Sequence, residues 1–211
     1  MSEIETFMEA FASGRAELPP TGQETLSLQI SLHKEGHTDA SKWVGWRGAV
    51  RASDNDEPKV EAALLHNIAS FLLPDFDRGV GKEDAEEAIR ATERALPLRA
   101  YLAEPGPLCW AWWDLGTARL AAADLDGAVH AFGEGLSLAE GLMAEDLGKE
   151  MNKEIRLHAA WLRLMSARAL ARSGGNIDHL SKGANEAAKT IIREGDSWAA
   201  GAATSLADLS T

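Results

Sequence analysis

The sequence predicts an all-α protein, an array of antiparallel helix pairs with a helical extension in front. Three observations point there. Apolar residues recur with helical period along nearly the whole chain, and no alternating run of strand type stands out. Only 7 Pro and 1 Tyr accompany many Ala, Leu and Glu, a composition that favours helix. Periodic segments alternate with short turns in an even rhythm, as stacked repeats do.

Taken in order, Ser2 and Glu5 have the Ser-x-x-Glu spacing of a capping box and open a helix through about Phe11. After Pro19-Pro20, Thr21 and Glu24 repeat that signal and lead a helix to about Lys34. A third helix spans Thr38 to Ala52, with Trp43, Trp46, Arg47 and Val50 along one side. The polar turn 53–57 ends at Pro58, a favoured first helical residue. Residues 1–57 thus form an N-terminal helical extension in which no repeat is visible.

Residues 58–193 read as helix pairs. The first helix, 58–73, carries Leu64, Leu65, Ile68 and Leu72 and stops at Pro74. The second, 83–102, follows the loop DFDRGVGK and buries Ala85, Ala88, Ile89, Thr92 and Leu96. Pro105-Gly106-Pro107 breaks the chain before 108–122, and Asp124 caps 125–140. A long helix over 147–172 turns at Ser173–Asn176 and returns over 177–193. Within 194–211, Trp198 to Leu209 forms an alanine-rich capping helix.

At 45% hydrophobic and 26% charged residues, the chain is too apolar for disorder. A net charge of −12 with no basic stripe argues against nucleic acid as a partner. The single cysteine, Cys109, fits a reducing compartment, since it has no intramolecular disulfide partner. The start carries no secretory pattern, and no apolar run of about 18 residues predicts membrane insertion. The expectation is a cytoplasmic protein.

The segment 109-CWAWWDLGTARL-120 concentrates three of the seven tryptophans. Trp112-x2-Leu115-Gly116-x2-Arg119, followed by Ala128-x3-Phe132, resembles the tetratricopeptide repeat, whose pattern is Trp-x2-Leu-Gly-x2-Tyr and then Ala-x3-Phe. Arg119 stands where Tyr is usual and Glu140 where the closing Pro is usual. Weaker copies flank it. Trp161 and Leu164–Arg168 echo Trp112 and Leu115–Arg119, while Leu65, Ile68 and Ala69 take the same places upstream. The resemblance implies a right-handed array of helix pairs over 58–193.

Helical geometry at about 100° per residue sets Trp112, Leu115, Gly116 and Arg119 on one side of this helix. Trp110, Trp113, Thr117 and Leu120 fall on the other. Gly116 admits a close partner helix, against which Ala128 and Phe132 pack, so Trp112 is expected to be buried within its pair. A helix apolar on both sides is either buried twice or lines a binding surface. First helices line a concave groove in tetratricopeptide proteins. The resemblance therefore implies a partner-binding set of Trp110, Trp113, Asp114 and Thr117, with His66, Asn67 and Ser70 on one side and Leu162, Arg163 and Ser166 on the other. In the alternative, Trp110 and Trp113 simply pack on the N-terminal helices. The expected function is a non-catalytic adaptor, or an assembly or secretion chaperone, holding a basic or apolar protein or peptide client. The rival is a small-molecule sensor or enzyme using the tryptophan-lined pocket.

Chemical motifs point nowhere else. His33 and His37 are four apart, but Gly36 weakens any helix presenting both to a metal. Gly79-Val80-Gly81-Lys82 hints at a phosphate loop, yet Phe76 and Glu83 stand where Gly and Ser/Thr are required. His66, His130, His158 and His179 have no nucleophile or carboxylate partner at a diagnostic spacing. Paired acids such as Glu86-Glu87 read as solvated helix faces, and Cys109 as inert packing. No cofactor, no metal and no catalytic group is expected.

Overall fold

The computed structural model describes residues 2–73, 79–145, 148–194 and 202, with the side chains of Lys149 and His179 left aside. Among them the chain forms nine α-helices and no strand. These are α1 (Glu3–Ala12), α2 (Gly22–Lys34), α3 (Thr38–Asp54), α4 (Pro58–Leu72), α5 (Lys82–Leu102), α6 (Pro105–Ala121), α7 (Leu125–Met143), α8 (Lys149–Arg172) and α9 (Asp178–Arg193). The expected capping helix at 198–209 and most of the loop before Lys82 lie outside the described residues. No described helix is long and apolar enough to cross a membrane.

Local chemistry starts and stops the helices. Ser2 and Thr21 each close the expected capping box, with Glu5 and Glu24 bonding back to the cap backbone. Asp124 caps α7 by accepting from the Gly127 N–H at 3.1 Å. Pro105-Gly106-Pro107, expected to break the chain, instead forms the first turn of α6. There the proline nitrogens forfeit no hydrogen bond, because first-turn N–H groups have no intrahelical acceptor.

Each helix from α2 onward packs on the next, giving a stacked array. The even-numbered helices also touch one another, α2 on α4, α4 on α6 and α6 on α8. Among the described residues the odd-numbered helices do not pack backbone to backbone in this way and meet only through side chains, α3 with α5 and α1 with α3. The even layer is therefore the tighter side of the stack. Helices α2 and α3 pack together and against α4, so the stack extends into the N-terminal block.

Three apolar clusters run along it. Phe7, Phe11 and Trp43 surround Leu32 and Val44 at the N-terminal end. Leu64, Leu65, Ile68, Ala88 and Ala118 fill the α3–α6 region. Trp113, Phe132, Ile155, Trp161, Met165 and Ile191 fill α6–α9. Helix α6 serves two of these clusters, which is why it carries large apolar groups all round: Cys109, Ala111, Trp113, Leu115, Ala118 and Leu120 are all buried.

Several packing expectations change. On α3 the buried side is the small-residue one, with Ala40, Ser41, Val44, Gly45, Gly48 and Ala49, while Arg47 and Val50 are exposed. Small side chains let α2 and α4 approach that face closely, and the bulkier face is turned outward. Trp43 and Trp46 are expected on sequence grounds to pack together on the first helix pair; Trp46 does so, and its Nε1–H donates to Glu87 Oε1 at 2.8 Å. Trp43 goes the other way and meets Phe7 and Phe11 of α1 at ring-centroid distances of 6.2 and 5.8 Å. On α5, Ala95 is buried where Leu96 was expected, and Leu96 is half-buried.

The α6–α7 contact follows the expected pattern. A Cβ on Gly116 would fall 2.5 Å from Phe132 Cδ1, so only glycine lets the aromatic ring sit on the helix backbone. Gly135 does the same for α7, where a Cβ would lie 2.8 Å from both Trp112 Cβ and Leu162 Cδ2. Arg119, at the position where a tyrosine was usual, donates to Glu93 Oε1 at 3.0 Å and to the Gly127 carbonyl at 3.3 Å. It ties α5, α6 and α7 together.

Candidate functional site

The groove residues inferred from sequence all lie on the even layer, on α4, α6 and α8. Burial divides them. Trp110, His66, Asn67, Ser70, Arg163 and Ser166 are half-exposed, whereas Trp113, Asp114, Thr117 and Leu162 are buried. Trp113 and Trp112 reverse the expected order: Trp113 retains 5% exposure, and Trp112 is half-buried although its Cβ abuts Gly135 of α7. The reason is positional. Helix α6 is sunk between α4 and α8, so Trp113 is covered, while Trp110 and Trp112 at its edges stay partly exposed.

Every joint between neighbouring even helices carries a histidine. At α2–α4, the His33 ring stacks on Phe71 at 3.8 Å and 2° between planes. Beside it, the Asn67 amide donates to Gln29 Oε1 at 3.0 Å, and the Gln29 amide in turn donates to the Leu64 carbonyl at 3.2 Å. At α4–α6, His66 Nδ1 meets Asp114 Oδ2 at 2.7 Å, and Ser70 Oγ lies 3.4 Å from His66 Nε2. At α6–α8, the Trp110 ring sits edge-on to His158 at 4.5 Å and to Trp113 at 5.5 Å.

Sequence spacing missed the His66–Asp114 pair, because the partners are 48 residues apart. They meet because both occupy inward positions of successive first helices. Asp114 is nearly closed to solvent, and burial and this carboxylate act on His66 in opposite directions. Burial alone would lower the imidazole pKa, but the charge and hydrogen bond of Asp114 outweigh it, and the net shift is upward from 6.5. Arg99, on α5, contributes a smaller opposing effect.

A chain of charges continues from this pair toward the start of α6. The buried Arg99 guanidinium lies 3.3 Å from Glu104 Oε2, and Glu104 Oε1 accepts from Lys59 Nζ at 2.8 Å. The hydrogen bond from Lys59, with both cations, holds the Glu104 carboxyl below its usual value. Thr117 Oγ1, fully buried, has no hydrogen-bond partner among the described residues.

On α8, Arg163 is committed outward, donating to Glu140 Oε1 at 2.6 Å. Leu162 packs against Gly135 and faces α7 rather than the open side of the even layer. Cys109 is fully buried beside Glu154, and burial followed by that charge pushes its thiol up to about 11. No group of three metal-ligating side chains occurs among the described residues, and the end of α2 together with Gly36 separates His33 from His37. No protein-family model matches the chain, and no curated protein matches it at a significant level.

Proposed function

We propose that the chain is a non-catalytic interaction scaffold, a right-handed array of the tetratricopeptide type working in the cytoplasm as an adaptor or as an assembly or secretion chaperone. Its even layer receives a segment of a client polypeptide. One observation carries this reading: among the described residues the even-numbered helices pack closely on one another, whereas the odd-numbered ones meet only through side chains such as Trp46 and Glu87. A stack compressed on one side curves toward that side, so α2, α4, α6 and α8 line its inner surface. That surface offers half-exposed His66, Asn67, Ser70, Trp110 and Ser166. A flat aromatic flanked by amides and hydroxyls suits an extended or helical peptide, whose main chain needs polar partners along its length.

Photo-crosslinking from defined positions tests the surface. A benzophenone side chain at Ser70 or Ser166 should trap one client species in living cells. The same group at Tyr101, 79% exposed on the odd-numbered helix α5, should not. Equal trapping from both sides, or trapping from Tyr101 alone, would overturn the inner-face reading.

A second reading, hydrolytic rather than scaffolding, is favoured by the Ser70–His66–Asp114 chain. Its connectivity is that of an acyl-transfer relay, with the carboxylate orienting the imidazole and the imidazole facing a hydroxyl. It ranks second because 3.4 Å lies at the limit of hydrogen bonding. A fluorophosphonate adduct on Ser70, absent from His66→Gln, would reverse the ranking.

A further inference from the structure

We infer that the cleft between α1 and α3 is a binding site for a small amphipathic carboxylic acid, a flat apolar body bearing one anionic group. This cleft of about 400 Å³ lies at the N-terminal end of the stack, away from the inner surface proposed for the client. Its size falls in the range of small-molecule sites, roughly 300–1,000 Å³. Phe11, Ala16 and Leu18 form one wall. The other wall is a single stripe of α3, with Trp43, Arg47 and Arg51 on successive turns.

The charges in that stripe are what call for an anion. Two guanidiniums at i and i+4 repel each other, and an anion placed beside them relieves that repulsion. Among the described residues neither Arg47 nor Arg51 has a carboxylate within 4.0 Å. Arg51 is held by neutral acceptors only: the Pro19 carbonyl at 2.5 Å, the Thr21 carbonyl at 3.3 Å and the Thr25 hydroxyl at 2.5 Å. Arg47 is exposed and lies over the Trp43 ring, 5.3 Å from its centroid. By contrast, Lys42 on the outer side of the same helix has Asp39, Asp84 and Glu87 around it.

An indole face, a phenyl ring and a planar donor fork beside them form a complementary set. The rings take a flat hydrocarbon body, and Arg47 takes its carboxylate. Selectivity must come from these local guanidiniums, since the chain as a whole carries a charge of −12 and repels anions at long range. Glu17 lines the same cleft, is exposed, and is the one group there that opposes an anion.

Calorimetric titration with naphthalene-2-carboxylate and its neutral counterpart naphthalene-2-methanol tests the assignment. The intact chain should bind the carboxylate about tenfold more tightly than the alcohol. Arg47→Gln, at an exposed site that leaves the melting temperature unchanged, should abolish that preference without weakening the alcohol. Glu17→Gln should tighten the carboxylate, and Trp43→Leu should weaken both compounds. Equal affinities in the intact chain, absence of carboxylate binding, or an unchanged preference in Arg47→Gln would each overturn the proposal. So would tighter binding of an acetylated dipeptide ending in a free phenylalanine carboxylate, which would make the cleft a pocket for a chain terminus.

Discussion

Trp112 and Trp113 stand side by side on α6 and differ in what covers them. Trp113 points into the cluster with Phe132, Ile155 and Trp161, whereas Trp112 lies along the α7 backbone at Gly135 and keeps part of its ring in solvent. Truncating Trp113 to Ala should therefore cost about 3–5 kcal/mol by denaturant unfolding, and Trp112→Ala roughly half as much. An equal loss from both variants would contradict the burial difference. His66 supplies a pH-dependent test. A folded pKa raised above 6.5 stabilises the fold fully below that value and fades as pH climbs through the folded pKa. The melting gap between the native chain and His66→Gln should be widest between about pH 5 and 6.5 and should narrow above it. Proton NMR should also place the His66 midpoint above 6.5. For Cys109, iodoacetamide at about pH 8 should label the unfolded chain rapidly and the native chain hardly at all, since both burial and a raised thiol pKa suppress the thiolate.

At the scale of elements, helix existence was largely legible and helix facing was not. Capping boxes at Ser2 and Thr21 and the cap at Asp124 are local signals, readable from a few residues, and each forms. Gly116, Ala128 and Phe132 are also where the pattern puts them, because a glycine opposite a large ring is a statement about one contact. Which face of α3 is buried depends instead on two partner helices, and the small residues that admit them are easily mistaken for a solvent face. The His66–Asp114 pair was hidden for a related reason: it needs the register of α4 against α6, which no spacing within one helix encodes. Helix α1 shows the limit of local signals. It is well capped yet buries no residue completely, resting on α2 and α3 through Ile4, Phe7, Met8 and Phe11. Deleting residues 1–13 should lower the melting temperature only slightly. Deleting 1–52 also removes α2 and most of α3, uncovers Leu64, Leu65 and Ile68, and should make the chain insoluble. Unchanged solubility after the longer deletion would mean that α4 needs no cover on that side.

Across the whole molecule, stability should be distributed as it is in a one-dimensional stack, where each helix pair depends on its neighbours and only weakly on distant ones. Gly135 offers a sharp way to see this, since it lies between Trp112 on α6 and Leu162 on α8. A methyl group there would meet Trp112 at its Cβ, which cannot rotate aside as a side-chain tip can. Gly135→Ala must therefore push α6 and α8 apart, at a cost of about 1–3 kcal/mol. The gain in helix propensity from replacing glycine, about 1 kcal/mol, offsets only part of that. Strain entering at α7 should loosen α6–α9, whose shared cluster contains Phe132, Trp161 and Ile191. It should leave α2–α4 nearly untouched, because their contacts run through Ala49, Leu64 and Ile68. Hydrogen exchange should then show amide protection falling in α7 and α8 of Gly135→Ala while α3 and α4 keep their native values. A uniform fall along the chain would mean that the clusters unfold as one cooperative unit, with α6 as rigid coupling between them and not as the place where two semi-independent halves meet.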